Sequence, residues 1–300
     1  MRIVIVGCGA VAAIHASRLR AAGVPIVGVC GSTIEKARSF AAAHGIEHAA
    51  TDLDSALDGA GAAIVASPSG LHHQQALRAL ERWLHVLVEL PPCASSAQAE
   101  TLARMAAESN LALQCAHTSR YLDPYRRIRT WILENRLGAI RQIQYFRSIV
   151  LSQRSWIDDA LVHHAAHPID LFLDWFGAMQ PVACVALPAT PPPRDVSLLA
   201  RLPNGAPAAI AVSYSSRKSY VQMTLLGEQH TVVTDGFSSI DSDDSSLLWH
   251  GHGAAVYEQA IADQDLAFLA YCETRRGGIP WPETILMARH VEEFQKLCIA

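Results

Sequence analysis

The most constraining feature of this chain is a regular alternation in its first 118 residues between short apolar runs and amphipathic stretches. The runs fall at residues 2–6, 26–30, 62–66, 86–89 and 111–116. Their length suits strands and is too short for buried helices. Helical spacing of apolar positions fills the gaps at residues 10–22, 34–44, 71–83 and 96–109, with Gly23 and Gly45 placed as C-terminal stops. Strands that are apolar throughout are buried on both faces, which requires a parallel sheet with helices on either side. Right-handed crossovers then bring the C-terminal ends of all the strands to one ligand-binding edge.

The pattern changes after Arg120. A helix is expected at 124–136, a strand at 141–150 and a helix at 160–175. Strand-like segments follow at 181–187, 195–202, 207–214, 220–226 and 230–234. A polar stretch at 238–246 reads as a solvated loop, and helices at 256–275 and 282–297 close the chain. Consecutive strands with few helices point to an α+β unit on one open, mostly antiparallel sheet. Two domains are therefore expected, 1–118 and 119–300, the second for substrate binding and oligomerisation. An open sheet leaves one face to cover, and a homodimer packed through it is the expected cover.

Composition narrows the partners. A net charge of −4 without a basic run argues against nucleic acid. The first apolar run stops at Gly7, too early for a secretion signal or a membrane span. The seven cysteines are odd in number, scattered and free of CxxC pairs, which predicts reduced thiols, no structural zinc and a cytoplasmic location.

The first apolar run ends in Gly7-Cys8-Gly9-Ala10-Val11-Ala12, a G-x-G-x-x-A fingerprint between strand and helix. Gly7 permits the tight turn, Gly9 lets backbone approach a pyrophosphate, and Ala12 permits close helix–sheet packing. The helix start at Ala10 and Val11 offers N–H groups and a positive dipole end to phosphate. Residues 1–118 are thus expected to be a Rossmann domain for a nicotinamide dinucleotide. Such sites place an acid about 20 residues on, at the second strand tip, to hold the ribose hydroxyls. Here that tip reads Cys30-Gly31-Ser32-Thr33. Ser32 and Thr33 can donate to a 2′-phosphate, with Lys36 or Arg38 adding charge, so NADP is preferred over NAD. Ser32 can also serve as the cap of the next helix.

Four motifs in order carry a family resemblance. They are the fingerprint, Ser67-Pro68-Ser69-Gly70-Leu71-His72, Val88-Glu89-Leu90-Pro91, and Ala166-His167-Pro168-Ile169-Asp170. On these the chain resembles the Gfo/Idh/MocA oxidoreductases. The resemblance implies an N-terminal Rossmann domain and an open-sheet second domain. It also implies cofactor contacts from Ser67, Pro68, His72, Glu89 and Leu90. The family carries lysine at the position of Leu90, where it helps move the hydroxyl proton. Leucine exchanges no proton, so another group must do so here.

The segments Glu89-Leu90-Pro91, His117-Thr118-Ser119-Arg120-Tyr121, Arg154-Ser155-Trp156 and His163-His164-Ala165-Ala166-His167 are similar to one lysine-free subgroup. Its members oxidise the cyclic hemiacetal of 4-carboxy-2-hydroxymuconate semialdehyde with NADP. A hemiacetal hydroxyl is more acidic than an ordinary alcohol, and a neutral imidazole suffices as its base. The segment between Arg147 and Arg154 is shorter and less basic than in that subgroup.

His163, His164, His167 and Asp170 are spaced to share one helix face. An imidazole of ordinary pKa suits a general base near neutral pH. His167 is the expected neighbour of the reacting carbon, oriented by Asp170, with His163 and His164 as candidates for the base or for substrate contact. Arg120 and Arg154 are candidates to grip carboxylates with bidentate forks. His117 either touches substrate or is structural, and His72 packs beside the cofactor pocket. His-x-x-x-His with a nearby acid also fits a divalent ion. Hydride transfer needs none, and no metal ligand set is assigned. Three readings stay open: an NAD(P)-dependent dehydrogenase of a hydroxyl or hemiacetal, a sugar or cyclitol dehydrogenase, and a dinucleotide-sensing protein without turnover.

Overall fold

The computed structural model describes residues 1–151, 159–188 and 192–299, the last without the Ile299 side chain. Its contacts group into two units, one of residues 1–118 and 261–286, the other of 119–260 and 287–300.

In the first unit the apolar runs form β1 (Ile3–Val6), β2 (Ile26–Cys30), β4 (Ala62–Val65), β5 (His85–Glu89) and β6 (Leu113–Ala116), with β3 (His48–Ala50) between β2 and β4 in sequence. Helices α1 (Ala10–Ala21), α2 (Ile34–His44), α3 (Leu53–Leu57), α4 (His72–Glu81) and α5 (Ser96–Glu108) connect them. All strand pairs are parallel, in the order β3-β2-β1-β4-β5-β6. The order reverses on either side of β1, which places a topological switch point at the end of that strand. Every residue of β1 and β4 is buried, as strands covered on both faces must be. β3 and α3 lie outside the sequence reading, because three and five residues are too few to show a period.

Helix α8 (Gly253–Thr274) is followed by α9 (Trp281–Leu297), and residues 261–286 of this pair belong to the first unit. The sequence reading placed them in the second. Phe268 and Cys272 are buried in the same core as Ile3, Ile5, Ala12 and Leu87, and Trp281 Nε1 donates to the Ala99 carbonyl at 2.9 Å. Those contacts join segments over 180 residues apart and leave no local sequence trace.

The second unit opens with α6 (Asp123–Leu133) and β7 (Ile140–Ser148) and continues through α7 (Ala166–Phe176). Strands β8 (Gln180–Leu187), β9 (Asp195–Arg201), β10 (Pro207–Ser213), β11 (Tyr220–Gly227) and β12 (Thr231–Thr234) follow. The polar stretch expected to be a loop instead holds β13 (Ser239–Ser242), which pairs antiparallel with β12 and with β14 (Trp249–His250). Its alternation is hidden because Ile240 is its one apolar side chain, and Ser242, on the same face, is polar. With β15 (Cys298–Ile299) the described residues form a sheet of nine strands, in the order β14-β13-β12-β11-β7-β10-β9-β8-β15. Among the described residues only β7–β10 and β8–β15 pair in parallel.

Along β7, Ile143 and Tyr145 are buried while Gln144 and Phe146 are exposed, the two-residue period of a sheet with one covered face. Phe146, Val185, Leu187, Leu199 and Tyr220 are all exposed. Trp131 and Trp175 are buried. The prediction of seven reduced thiols is corrected: a disulfide joins Cys184 on β8 to Cys298 on β15, and the other five cysteines carry thiols. Their sequence separation of 114 residues is why spacing gave no hint. No helix among the described residues is long and apolar enough to cross a membrane.

Candidate active site

The first unit supplies a cradle for a dinucleotide. Gly7 has φ +122°, a conformation L side chains rarely adopt, and a Cβ there would strike the Ala66 carbonyl. Gly9 is the N-cap of α1 in extended conformation, and a Cβ on it would meet nothing within 4 Å. No side chain caps α1, and its first turn carries no acid. An uncapped helix start beside an open glycine fits a pyrophosphate, whose charge the unsatisfied N–H groups and the dipole favour. Ala12 is fully buried beneath Ala10 and Val11 at that helix start. The geometry therefore fits the group that the fingerprint implies.

At the tip of β2, Ser32 and Thr33 are exposed. The cap of α2 is Thr33, not Ser32: its hydroxyl accepts from the Lys36 amide at 3.3 Å. The sequence reading found no acid at this tip, yet Glu35 stands in the first turn of α2. Its own backbone N–H and the Thr33 hydroxyl hold its carboxyl below the usual range. A negative charge thus shares the tip with the two hydroxyls and Lys36.

His72 is buried, with Nδ1 2.8 Å from the Pro91 carbonyl and Nε2 2.7 Å from the Ser67 carbonyl. It clamps the turn after β4 to the turn after β5. The Ser67 hydroxyl donates to Gln75, and Pro68 opens the short helical turn that follows. Leu90 is 3 % exposed and Glu89 only partly covered at the C-terminal end of β5. Glu89 Oε1 lies 3.0 Å from His15 Nε2, and His15 Nδ1 contacts both carboxylate oxygens of Asp265 at 2.9 and 2.8 Å. The sequence reading missed His15 and Asp265. The legible signal was a histidine on the buried face of α1, between Ala12 and Leu19, where a polar group needs a partner. His117 is 1 % exposed with Nε2 2.9 Å from the Thr284 hydroxyl, a buried position suited to structure.

In the second unit the histidine segment begins at Asp159, whose carboxylate accepts from the amides of Leu161 and Val162 at 2.8 and 3.0 Å. Burial pushes the Asp159 carboxyl up, and those two amides pull it back. Residues Ala160–Ala165 form a π-helical turn before α7, where a continuous α-helix was expected. Pro168 has no N–H to return to the His164 carbonyl, so the α-helical ladder cannot run unbroken through this segment. At 3.6 residues per turn adjacent side chains diverge by about 100°. The wider π winding narrows that angle.

The result is a cluster of three imidazoles. Ring centroids are 4.4 Å apart for His163 and His164, 6.4 Å for His163 and His167, and 6.2 Å for His164 and His167. Tyr214, buried just beyond the end of β10, hydrogen-bonds through its hydroxyl to His164 Nδ1, with the rings edge-on. This tyrosine, 50 residues away, was invisible to spacing arguments. Among the described residues no group of three or more His, Cys, Asp or Glu is arranged to hold a metal ion.

Asp170 and Arg120 meet each other. Arg120 Nε donates to Oδ2 at 2.9 Å and Nη2 to Oδ1 at 2.6 Å, while Nη1 lies 3.4 Å from Asp174. The Arg120 fork expected to grip a substrate carboxylate is therefore engaged within the protein. Burial raises the Asp174 carboxyl, against the pull of Arg120 and Arg129. Arg154, the other candidate fork, lies outside the described residues. Arg194 is exposed and places Nη2 3.5 Å from the Tyr214 carbonyl, bringing a cation to the same strand end.

Residues 1–117 match the family model described as "Oxidoreductase family, NAD-binding Rossmann fold". The chain is 32% identical over 230 residues to a 4-carboxy-2-hydroxymuconate-6-semialdehyde dehydrogenase of a Sphingobium strain, covering 72% of this chain and 73% of that protein. Among solved structures it superposes on UDP-N-acetylglucosamine 3-dehydrogenase from Acidithiobacillus ferrooxidans with a TM-score of 0.82 at 22% identity, covering 99% and 97% of the two chains. Scyllo-inositol dehydrogenase from Lactobacillus casei, solved with NAD(H) and scyllo-inositol, gives 0.80 at 17% identity, covering 99% and 96%.

Proposed function

From the premise that the chain belongs to the Gfo/Idh/MocA oxidoreductase family and is an NAD(P)-dependent dehydrogenase, we propose that its substrate is a hydroxyl compound or cyclic hemiacetal of the carboxylated, ring-cleavage type. The observation that carries this reading is the cluster of His163, His164 and His167 in a chain with Leu90 where its family carries lysine. The bound nicotinamide supplies the hydride acceptor. Proton removal then falls to an imidazole, and His167 is assigned the base, with His163 and His164 positioning the substrate hydroxyl. The hydrogen bond between Tyr214 and His164 Nδ1 directs the other ring nitrogen of His164 toward that task. Leu90, closed to solvent, excludes water without exchanging protons.

Cofactor choice is proposed as NADP, because Ser32 presents a hydroxyl and Lys36 a cation at the β2 tip. Glu35 favours the NAD alternative, since its carboxylate repels a 2′-phosphate and accepts from ribose hydroxyls. The engagement of Arg120 by Asp170 likewise favours the second substrate reading, a sugar or cyclitol without carboxylates. The exposed apolar face of the nine-stranded sheet, with Phe146, Leu199 and Tyr220, is proposed to be covered by a second copy of the chain. A cytoplasmic location is proposed with it.

The test is reduction of NADP, with NAD alongside, by purified protein given 4-carboxy-2-hydroxymuconate semialdehyde, in wild type and His167→Ala. Turnover by wild type, abolished in a variant that still binds NADPH, supports the substrate and the base together. Turnover on scyllo-inositol or a sugar instead moves the assignment to the second reading. Equal rates in both proteins remove His167 from the mechanism.

A further inference from the structure

The buried carboxylate–imidazole–carboxylate series in the first unit has no part in the chemistry above. It runs Glu89, His15, Asp265, with contacts of 3.0 Å on one side of the imidazole and 2.8 and 2.9 Å on the other. His15 is fully buried and Asp265 is 1 % exposed, whereas the Glu89 side chain is 16 % exposed. The series therefore runs from the core to a partly covered carboxylate at the C-terminal end of β5. It joins three elements distant in sequence: the phosphate-facing helix α1, strand β5 and helix α8.

We infer that Glu89 is a charge-setting residue of the cofactor site: it presents a net negative charge to the nicotinamide half of the dinucleotide and binds the oxidised, cationic form in preference to the reduced one. This rests on the dinucleotide reading of the first unit. In a sheet of this order the pyrophosphate crosses the end of β1, and the two nucleotide halves lie over the strands on either side. The β2 tip with Ser32 and Thr33 takes the adenosine half, which leaves β4 and β5 to the nicotinamide. Glu89 is the last residue of β5.

The charge balance follows from the partners. His15 and Asp265 share one proton, and wherever it resides the pair is neutral. Burial alone lowers the imidazole pKa, but the Asp265 and Glu89 carboxylates drive it up to about 10, so the proton sits on His15 near neutral pH. Burial pushes the Asp265 carboxyl up as well, and the His15 charge restrains it. Glu89 then contributes one uncompensated negative charge at the strand end. A surface glutamate would deliver that charge through water and with a mobile side chain. Here Oε1 is anchored to a buried cation, in a region of low dielectric where a fixed charge acts strongly. His15 and Asp265 are positioning residues, acting on the cofactor only through Glu89.

The experiment titrates NADP⁺ and NADPH separately against wild type and Glu89→Gln, following quenching of intrinsic fluorescence. Glutamine keeps an acceptor toward His15 and removes the charge. The dissociation constant for NADP⁺ is expected to rise about tenfold while that for NADPH changes by less than about twofold. A tenfold change in their ratio is about 30 mV in the potential of the bound two-electron couple. Glu89→Ser removes the same unit of charge at the same position, with a side chain too short to reach His15, and is expected to move the ratio in the same direction. It carries the test if the glutamine variant does not fold. Equal changes for both nucleotides, or none, in whichever variant folds overturn the inference and leave the dinucleotide site standing. A wild-type protein that binds neither nucleotide overturns both.

Discussion

Arg120 offers a direct contest between two roles, one inferred from sequence and one from structure. Its guanidinium makes a two-point contact with Asp170, at 2.9 and 2.6 Å, and the two side chains are 8 % and 1 % exposed. Arg120→Gln leaves a carboxylate buried beside a second one, Asp174, which Arg129 reaches at 2.9 Å. Breaking a buried pair by removing one partner costs about 3–5 kcal/mol. The lower end applies, because Asp170 can relieve its isolation by taking up a proton. At about 2–4 °C per kcal/mol for a unit of this size, a loss of ~3 kcal/mol lowers the melting temperature by about 6–12 °C. Differential scanning fluorimetry measures this, and the double variant Arg120→Met, Asp170→Leu is expected to recover most of the loss, because it leaves no unpaired charge. If instead Arg120→Gln melts within about 2 °C of wild type while KM for a carboxylated substrate rises at least tenfold, the internal-pair reasoning fails and the substrate fork is restored.

Two further outcomes follow from particular geometries. His15 has a pKa raised from 6.5 to about 10 by its two carboxylates against burial, so its stabilisation is whole below pH 6.5, declines above it, and is gone past about 10. The difference in unfolding free energy between wild type and His15→Gln should shrink by about 1.4 kcal/mol per pH unit across that window, and a constant difference by urea titration contradicts it. Gly7→Ala should lose at least about 2 kcal/mol of stability and most NADPH affinity, since the side chain must adopt a φ of +122° against the Ala66 carbonyl. Wild-type melting and nucleotide titration in that variant would show that the turn tolerates a Cβ.

The dinucleotide edge was legible from local signals. Apolar runs bounded by glycine, a fingerprint between strand and helix, and helical spacing in between all act over fewer than about twenty residues, the range in which periodicity and turn chemistry operate. The same logic located the imidazole cluster, because His163, His164 and His167 lie within one short segment. It misjudged the winding, because helical spacing of apolar residues does not register a π turn, here lying between the Asp159 cap and Pro168. It also passed over the polar strand Ser239–Ser242, whose pairing with β12 rests on backbone hydrogen bonds that any side chain permits.

Sequence alone determined the class of fold, the cofactor-binding edge and the set of candidate bases, because each is written in neighbouring residues. Tertiary structure decided which polar groups face one another. Arg120 lies 50 residues from Asp170, Tyr214 lies 50 from His164, and Asp265 lies 250 from His15. Those pairings set whether a charge is spent inside the protein or presented to a ligand. They arise from the burial of whole elements, and a buried charge must find its partner wherever the fold has brought one. No spacing rule reaches that far along the chain, and so the groups that an arginine or a histidine meets here follow only from its neighbours in space.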